Sequence, residues 1–138
     1  MDPFYLECEL LHPVRTFFER QGYMVKEEVQ LGFYWADIVA YKKDHTVAVE
    51  LKLRSYNKAI VQAKNYQLFV DFVYVTLPLQ RVYNVLRKKQ QVFEKEGIGL
   101  LVVNEQSCTV KIIVPPKTSK RKFISWEWTQ GDVQKQLD

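Results

Sequence analysis

Residues 35–53 read WADIVAYKKDHTVAVELKL, two runs rich in β-branched and aromatic residues that are separated by a short polar segment. The first run is Trp35 to Lys42, and the second is Thr46 to Leu53. Their composition predicts two strands joined by a tight hairpin. A two-residue turn at Lys43-Asp44 fixes the pairing of the two strands, and therefore which side chains share a face.

This register makes both faces of the predicted hairpin largely apolar. Asp37 lies across from Glu50, and Trp35 lies across from Lys52, so the members of each pair share a face. One face carries Ala36, Ile38, Ala40, Val47, Val49, Leu51 and Leu53, and the other carries Val39, Tyr41, Thr46 and Ala48 beside the two pairs. A strand pair that is apolar on both faces is typical of the centre of a sheet, covered above and below.

Three charged residues lie at the end of this buried surface. Carboxylates with facing Cβ atoms about 5 Å apart repel each other, and burying each costs several kcal/mol unless another charge compensates. Because Lys52 compensates only one of Asp37 and Glu50, the pair indicates a divalent cation. Mg²⁺ suits two carboxylates and a main-chain carbonyl, here that of Leu51, together with waters and phosphate oxygens. The pattern therefore indicates phosphodiester hydrolysis, in which Lys52 would position the nucleophile or stabilise the transition state.

The rest of the chain completes an α/β pattern. Helical spacing of apolar residues predicts a first helix from Phe4 to Gln21, and Pro13 leaves open whether this is one kinked helix or a turn followed by a helix. The further predicted elements are strands Tyr23–Leu31, Phe72–Thr76, Leu100–Val103 and Thr109–Val114 and helices Tyr56–Val70 and Leu79–Glu96. We expect a domain over residues 1–114 and a basic, aromatic extension over 115–138.

The composition excludes several classes of protein. With 138 residues, 47% apolar and 26% charged, the chain is long and apolar enough for one globular domain. Its net charge of +4 favours a polyanionic partner. Two cysteines, no membrane-spanning run and no secretory signal predict a cytoplasmic protein without membrane association. The scattered glycines form no phosphate-binding loop.

Cysteine and histidine chemistry has little support in this sequence. Cys8 and His12 have the spacing of metal ligands on a helix, but only His45 and Cys108 remain to complete a zinc site. A Cys-His nucleophile is equally unsupported, because no third residue is identified that would orient the histidine.

The acid on one strand and the triplet Glu50-Leu51-Lys52 on the next resemble the signature of the PD-(D/E)xK nuclease superfamily. Its core of a helix, a three-stranded meander, a helix and a strand is similar to the order predicted up to Thr76. The stretch from Tyr5 to Pro78 is similar to a small branch of stand-alone, phosphodiesterase-like members. One departure is Ala36, which stands before Asp37 where the signature has proline.

The resemblance implies a restriction-endonuclease-like fold and hydrolysis of DNA with Mg²⁺, for which Mn²⁺ would substitute. It adds Glu7 on the first helix, whose helical spacing places it on the inward face, and a QxxxY pattern formed by Gln62 and Tyr66. Glu7 and Gln62 would orient metal-bound water or a second ion. By analogy with small nucleases, we expect double-stranded or branched DNA as substrate and a homodimer.

Basic residues supply candidate contacts with nucleic acid. Between Leu51 and Val70 the chain has no acidic residue, and a second basic stretch precedes aromatic residues near the end of the chain. The candidates are Arg54, Lys58, Lys64 and Tyr66 in the first region and Lys120, Arg121 and Lys122 in the second. Two alternatives stay open, a non-catalytic nucleic-acid-binding module and an accessory subunit whose recognition comes from a partner.

Overall fold

The computed structural model describes residues 8–54, 56–120 and 122, and the elements in this part of the chain follow the predicted order. The helices are α1 (Cys8–Glu19), α2 (Tyr56–Tyr66) and α3 (Leu79–Glu96). The strands are β1 (Met24–Leu31), β2 (Tyr34–Lys42), β3 (His45–Leu51), β4 (Phe72–Pro78), β5 (Gly99–Val103) and β6 (Val110–Val114). No helix among these residues has the length and apolar character needed to span a membrane.

The six strands form one mixed sheet in which spatial order follows chain order. Strands β1, β2 and β3 make an antiparallel meander, and β3, β4 and β5 are parallel. Strand β6 closes the other edge antiparallel to β5. The two parallel connections run through α2 and α3, as a parallel pair requires a crossover.

Two apolar cores lie on opposite faces of the sheet. On one face Leu10, Val14 and Phe18 of α1 pack against Ile38 and Val49. On the other face α2 and α3 cover the sheet, and residues from β2 and β3, including Val39 and Ala48, join their core. This alternation confirms the prediction that β2 and β3 are central strands with two buried faces.

The predicted hairpin register is confirmed over five residue pairs, from Lys42 opposite His45 to Ile38 opposite Val49. Ala36 departs from its predicted face, because it packs in the α2 and α3 core. Its partner on β1 is Val29, which follows a residue with positive φ, Glu28 at 52°. The outer half of the β1–β2 hairpin therefore turns toward α2.

Some predicted boundaries differ from the structure. Pro13 lies inside α1, so this segment is one helix rather than a turn followed by a helix. Helix α2 ends at Tyr66, four residues before the predicted end, because the N–H groups of Phe69 and Val70 both donate to the carbonyl of Tyr66 and form a turn. Strand β3 ends at Leu51 rather than Leu53.

The described residues after β6 bond back to the domain. The N–H of Lys117 donates to the carbonyl of Gly97, and both the N–H and the hydroxyl of Ser119 donate to the carbonyl of Asp71. The ammonium of Lys122 lies 2.8 Å from a carboxylate oxygen of Asp71. The boundary at Val114 stays a prediction.

Candidate metal site

The predicted carboxylate site lies where β3 ends. The N–H of Lys52, directly after β3, still donates to the carbonyl of Thr76 on the parallel strand β4 at 2.9 Å. The chain then leaves the sheet and enters α2. Ligand sites in open α/β sheets usually lie at the carboxyl ends of the parallel strands. Glu50 and Lys52 lie at this end of β3.

Asp37 lies on β2 next to this edge. Its carboxylate accepts a 2.8 Å hydrogen bond from the N–H of Leu51. The regular ladder pairs of β2 with β3 begin at Ile38, so Asp37 contacts β3 through its side chain instead. The structure therefore brings Asp37 to the Glu50-Leu51-Lys52 triplet, as the signature predicts.

Glu50 is buried, with 3% of its surface exposed. One carboxylate oxygen accepts a 2.6 Å hydrogen bond from the hydroxyl of Tyr66, and the other lies 3.5 Å from the ammonium of Lys52. Burial, reinforced by the negative charge of Asp37, raises the pKa of Glu50 to about 7, although the contacts with Tyr66 and Lys52 oppose the rise. The two carboxylates are thus close enough to compete for ionisation.

Tyr66 is fully buried between α2 and the sheet, and its hydroxyl also lies 3.0 Å from the carbonyl of Trp35. Burial and the neighbouring charge of Glu50 raise the pKa of Tyr66 far above its usual range, so the hydroxyl stays a hydrogen-bond donor. The predicted contact of Tyr66 with nucleic acid does not fit this placement, because a fully buried ring cannot reach a ligand in solvent. Tyr66 instead donates a hydrogen bond to Glu50 inside the domain.

Gln62 lies one helical turn before Tyr66 on α2, and its side chain is half-buried. Its carbonyl oxygen Oε1 is buried and has no hydrogen-bond partner in the described part of the chain. A buried amide oxygen normally accepts a hydrogen bond or binds a cation, and leaving it unpaired costs about 1–3 kcal/mol. The described residues supply no partner for this oxygen, and the role of Gln62 beside a metal stays a prediction.

Glu7, the predicted site residue on the first helix, lies outside the described residues. Within residues 8–54, 56–120 and 122, no group of three histidine, cysteine, aspartate or glutamate side chains could hold a metal ion. From the described residues alone, a cation here would have the two carboxylates of Asp37 and Glu50 and neutral oxygens as ligands.

The predicted nucleic-acid contacts fall into two separate places. Arg54 and Lys58 are exposed near the end of β3, whereas Lys64 forms an ion pair with Glu96 at 3.4 Å. Lys120 is exposed, and Lys122 is paired with Asp71 at the start of β4. Arg121 lies outside the described residues. Since the start and the end of β3 are roughly 20 Å apart along the strand, the second group lies at the opposite end of the sheet.

The carbonyl of Trp35 is the part of this arrangement that the sequence did not reveal. This carbonyl accepts a hydrogen bond from the hydroxyl of Tyr66, which also bonds to the carboxylate of Glu50. The side chain of Tyr66 therefore links the main chain at Trp35 to Glu50. Any residue supplies a main-chain carbonyl, and no residue type marks this role.

The solved structures that are similar to this fold include the following three proteins. The SPO1766 protein of unknown function from Silicibacter pomeroyi has a TM-score of 0.62 at 14% identity, and the match covers 93% of this chain and 78% of that one. An XisH family protein from Nostoc punctiforme has a TM-score of 0.58 at 18% identity, covering 75% of this chain and 98% of that one. An fdxN element excision controlling factor protein from Anabaena variabilis has a TM-score of 0.56 at 19% identity, covering 76% and 98%.

These similarities concern the fold alone, given their low sequence identity. No family model and no curated protein matches the chain. The predicted α/β class is confirmed, with a central mixed sheet flanked by helices in the order αβββαβ followed by a helix and two strands. This architecture is consistent with a nuclease-like core.

Proposed function

We propose that the protein hydrolyses phosphodiester bonds in DNA with a divalent cation, Mg²⁺ or Mn²⁺, bound between β2 and β3. The observation that carries this proposal is that Asp37 bonds to the N–H of Leu51, next to Glu50, and is close enough for its charge to act on Glu50, which also contacts Lys52. The class of protein that combines this fold with these residues is the PD-(D/E)xK type of metal-dependent nuclease.

The electrostatics of the pair favour a cation. Glu50 loses its charge readily because it is buried beside Asp37, and the single ammonium of Lys52 does not compensate both acids. A bound divalent cation would hold both carboxylates ionised and would lower the pKa of Glu50. Such a site takes up its metal with release of a proton below about pH 7.

The donor atoms fit a hard cation. Asp37 and Glu50 supply carboxylate oxygens, and the orphaned Oε1 of Gln62 is available to a metal-bound water. In an extended strand the N–H and C=O of one residue point to the same neighbouring strand, so the carbonyl of Leu51 is expected on the side of Asp37. When bound, the cation supplies an activated water and stabilises charge on the phosphoryl group.

Two side chains have roles that do not require direct coordination. Lys52 places its ammonium 3.5 Å from Glu50, where it would orient the attacking water and stabilise negative charge on the phosphate. Tyr66 holds the carboxylate of Glu50 in one orientation through a 2.6 Å hydrogen bond. Fixed ligand orientation of this kind is a regular requirement of metal sites.

DNA is the substrate that the surroundings favour. Exposed Arg54 and Lys58 adjoin the site in a segment without acidic residues, and this segment would attract a phosphate backbone. One protein of the same fold is named for control of excision of the fdxN element. That name is consistent with a DNA-directed role for the scaffold.

The test is a cleavage panel of linear, nicked, branched and single-stranded DNA and of RNA, with Mg²⁺ or with a chelator. We expect Asp37→Asn, Glu50→Gln and Lys52→Met each to lower metal-dependent cleavage by at least about 100-fold, because each removes charge that the transition state needs. Asp44→Asn is the matched control, since Asp44 is an exposed acid in the β2–β3 turn.

Calorimetric titration with Mg²⁺ separates the enzyme from the binding-module alternative. An enzyme of this design binds Mg²⁺, and Asp37→Asn abolishes the binding. Full cleavage by the Asp37→Asn protein contradicts the mechanism. DNA binding without Mg²⁺ binding or cleavage would favour a non-catalytic module instead.

A further inference from the structure

Two exposed aromatic rings lie on the β1–β2 hairpin, at the end of the sheet where β3 ends. Phe33, in the turn between β1 and β2, is 93% exposed, and Trp35, two residues later, is 47% exposed. Between them Tyr34 packs against the core, so the strand is anchored while its neighbours face solvent. Phe33 is almost unburied and Trp35 leaves about half of its surface in solvent, and neighbouring exposed rings of this kind are typical of a binding surface.

The hairpin that carries these rings is held firmly. Its turn consists of Gly32, with φ of 66°, and Phe33, between the paired residues Leu31 and Tyr34. The amide of Asn65 on α2 donates a 2.7 Å hydrogen bond to the carbonyl of Leu31. Rings presented from a fixed turn lose little conformational entropy when they contact a ligand.

Trp35 is also connected to the site itself. Its carbonyl and the carboxylate of Glu50 lie within hydrogen-bond distance of the same hydroxyl, that of Tyr66. Along β2, Trp35 precedes Asp37 by two residues, a separation of about 7 Å. The main chain of Trp35 therefore lies about one nucleotide unit from the carboxylates, while its ring, between Tyr34 and Ala36 of the α2 and α3 core, points toward the other face of the sheet.

The charge around the rings suits a polyanion. Lys52 lies beside Glu50, and exposed Arg54 and Lys58 follow it in a segment that has no acidic residue up to Asp71. Exposed aromatic rings next to cations are the combination that binds single-stranded nucleic acid, since bases stack on the rings and phosphates approach the cations.

We propose that Phe33 and Trp35 form a stacking platform for unpaired bases next to the phosphate that is cleaved, and that the preferred substrate is single-stranded DNA or a single-stranded segment within branched DNA. This inference rests on the proposed function. Bases in a continuous duplex are stacked on one another and offer no free face to a ring. An uninterrupted duplex is therefore the poorer substrate, in contrast to the double-stranded alternative expected from the sequence.

Binding in the presence of a chelator tests the platform apart from catalysis. The probe is a fluorescently labelled oligothymidine of about 12 nucleotides, within the roughly 4–16 nucleotides of known single-strand sites, measured by anisotropy. A blunt duplex of the same length and an abasic phosphodiester strand are the comparison ligands. We expect the single strand to bind more tightly than either of them.

The variants distinguish stacking from general apolar contact. Trp35→Ala and Phe33→Ala are each expected to weaken oligothymidine binding by about 5- to 150-fold, as loss of one stacked base does elsewhere. Trp35→Phe should retain most of the affinity, whereas Trp35→Leu should not. Tyr83→Ala is the matched control, because Tyr83 is 78% exposed on α3, which packs against β4 to β6 rather than β2.

Two proteins, wild type and Trp35→Ala, measured on two ligands, oligothymidine and the abasic strand, form a thermodynamic cycle that isolates the contact between ring and base. If the rings contact bases, Trp35→Ala weakens binding of oligothymidine but not of the abasic strand. Equal losses on both ligands, equal affinity for duplex and single strand, or retention of affinity by Trp35→Leu would each overturn the platform. Dissociation of a protein dimer by Trp35→Ala would also overturn it, since the rings would then serve a second copy of the chain.

Failure of this inference and failure of the proposed function give different results. If the protein is not a nuclease, the oligothymidine binds and depends on Trp35, but no Mg²⁺-dependent cleavage follows. If the platform is wrong but the nuclease is correct, Mg²⁺-dependent cleavage is lost in Asp37→Asn and unaffected in Trp35→Ala and Phe33→Ala.

Discussion

Two sets of contacts act on the charge of Glu50 in opposite directions. The hydroxyl of Tyr66 and the ammonium of Lys52 both contact its carboxylate and favour the ionised form. Burial and the negative charge of Asp37 outweigh these contacts and raise the pKa of Glu50 to about 7.

This raised pKa predicts how stability depends on pH in a metal-chelating buffer. Folding favours protonated Glu50, so its contribution is fully present below the usual pKa of 4.5 and is lost as pH rises to about 7. Glu50→Gln removes this loss and preserves the hydrogen bonds. We expect its free energy of unfolding, relative to wild type, to increase by about 2 kcal/mol between pH 5 and pH 8.

Urea unfolding across that pH range measures the difference, with Asp44→Asn as the exposed-acid control. A difference that does not change with pH would show that Glu50 has an ordinary pKa in the folded protein. Addition of Mg²⁺ should reverse the advantage of Glu50→Gln at pH 8, because the variant loses a metal ligand while wild type gains binding energy.

The sequence predicted the charged residues of the site better than it predicted the tyrosine that bonds to one of them. Asp37, Glu50 and Lys52 follow from strand periodicity and one turn, so their meeting was predictable. The role of Tyr66 was not, because helical spacing places it beside Gln62 but does not tell whether a ring points to solvent or into the sheet. Tertiary packing of α2 decided that orientation.

The β1–β2 hairpin is the element whose shape most affects the site, and Gly32 is its critical residue. A Cβ at Gly32 would lie 3.0 Å from the amide oxygen of Asn65 and 3.0 Å from the ring of Phe69. Its φ of 66° is also unfavourable for a residue with a side chain. Gly32→Ala must therefore displace the side chain of Asn65 and weaken its hydrogen bond to the carbonyl of Leu31. We call this hydrogen bond the Asn65 clamp.

Gly22→Ala is a matched control for this substitution. Gly22 also has a positive φ, 91°, but its Cβ would meet only Lys42 at 3.5 Å, an ordinary contact. We expect both variants to lose stability and Gly32→Ala to lose about 1 kcal/mol more, because crowding adds to backbone strain. Equal losses in thermal or urea unfolding would contradict the clamp.

The same clamp explains where element prediction from the sequence was incomplete. Helix α2 was expected to reach Val70 because the apolar period continues, but it ends at Tyr66 and its next residues turn so that Phe69 meets Gly32. No glycine or proline marks this end. Contacts between distant segments set it, whereas the end of α3 at Gly97 was visible in the sequence.

Across the whole molecule, the two ends of the central strands carry different groups of contacts. At the starts of β3 and β4, Asp71 accepts hydrogen bonds from the N–H and the hydroxyl of Thr46 and pairs with Lys122. Burial alone would raise the pKa of Asp71, but the bonds from Lys122 and Thr46 outweigh it and lower the pKa. The cluster fastens the chain after β6 to the domain.

The carboxylates lie toward the other end of β3, where Glu50 is roughly 13 Å from Thr46 along the strand, with no shared partners among the described contacts. Perturbations at separated sites without shared contacts are close to additive. Asp71→Ala is therefore expected to lower the free energy of unfolding by about 1–3 kcal/mol, because the buried N–H of Thr46 loses its acceptor, and to leave Mg²⁺ affinity within about twofold. Chemical unfolding and calorimetric titration of the same preparation measure both quantities, with Asp44→Asn as control. A Mg²⁺ affinity that falls tenfold in Asp71→Ala would mean that the contacts of Asp71 and the carboxylate site are energetically coupled.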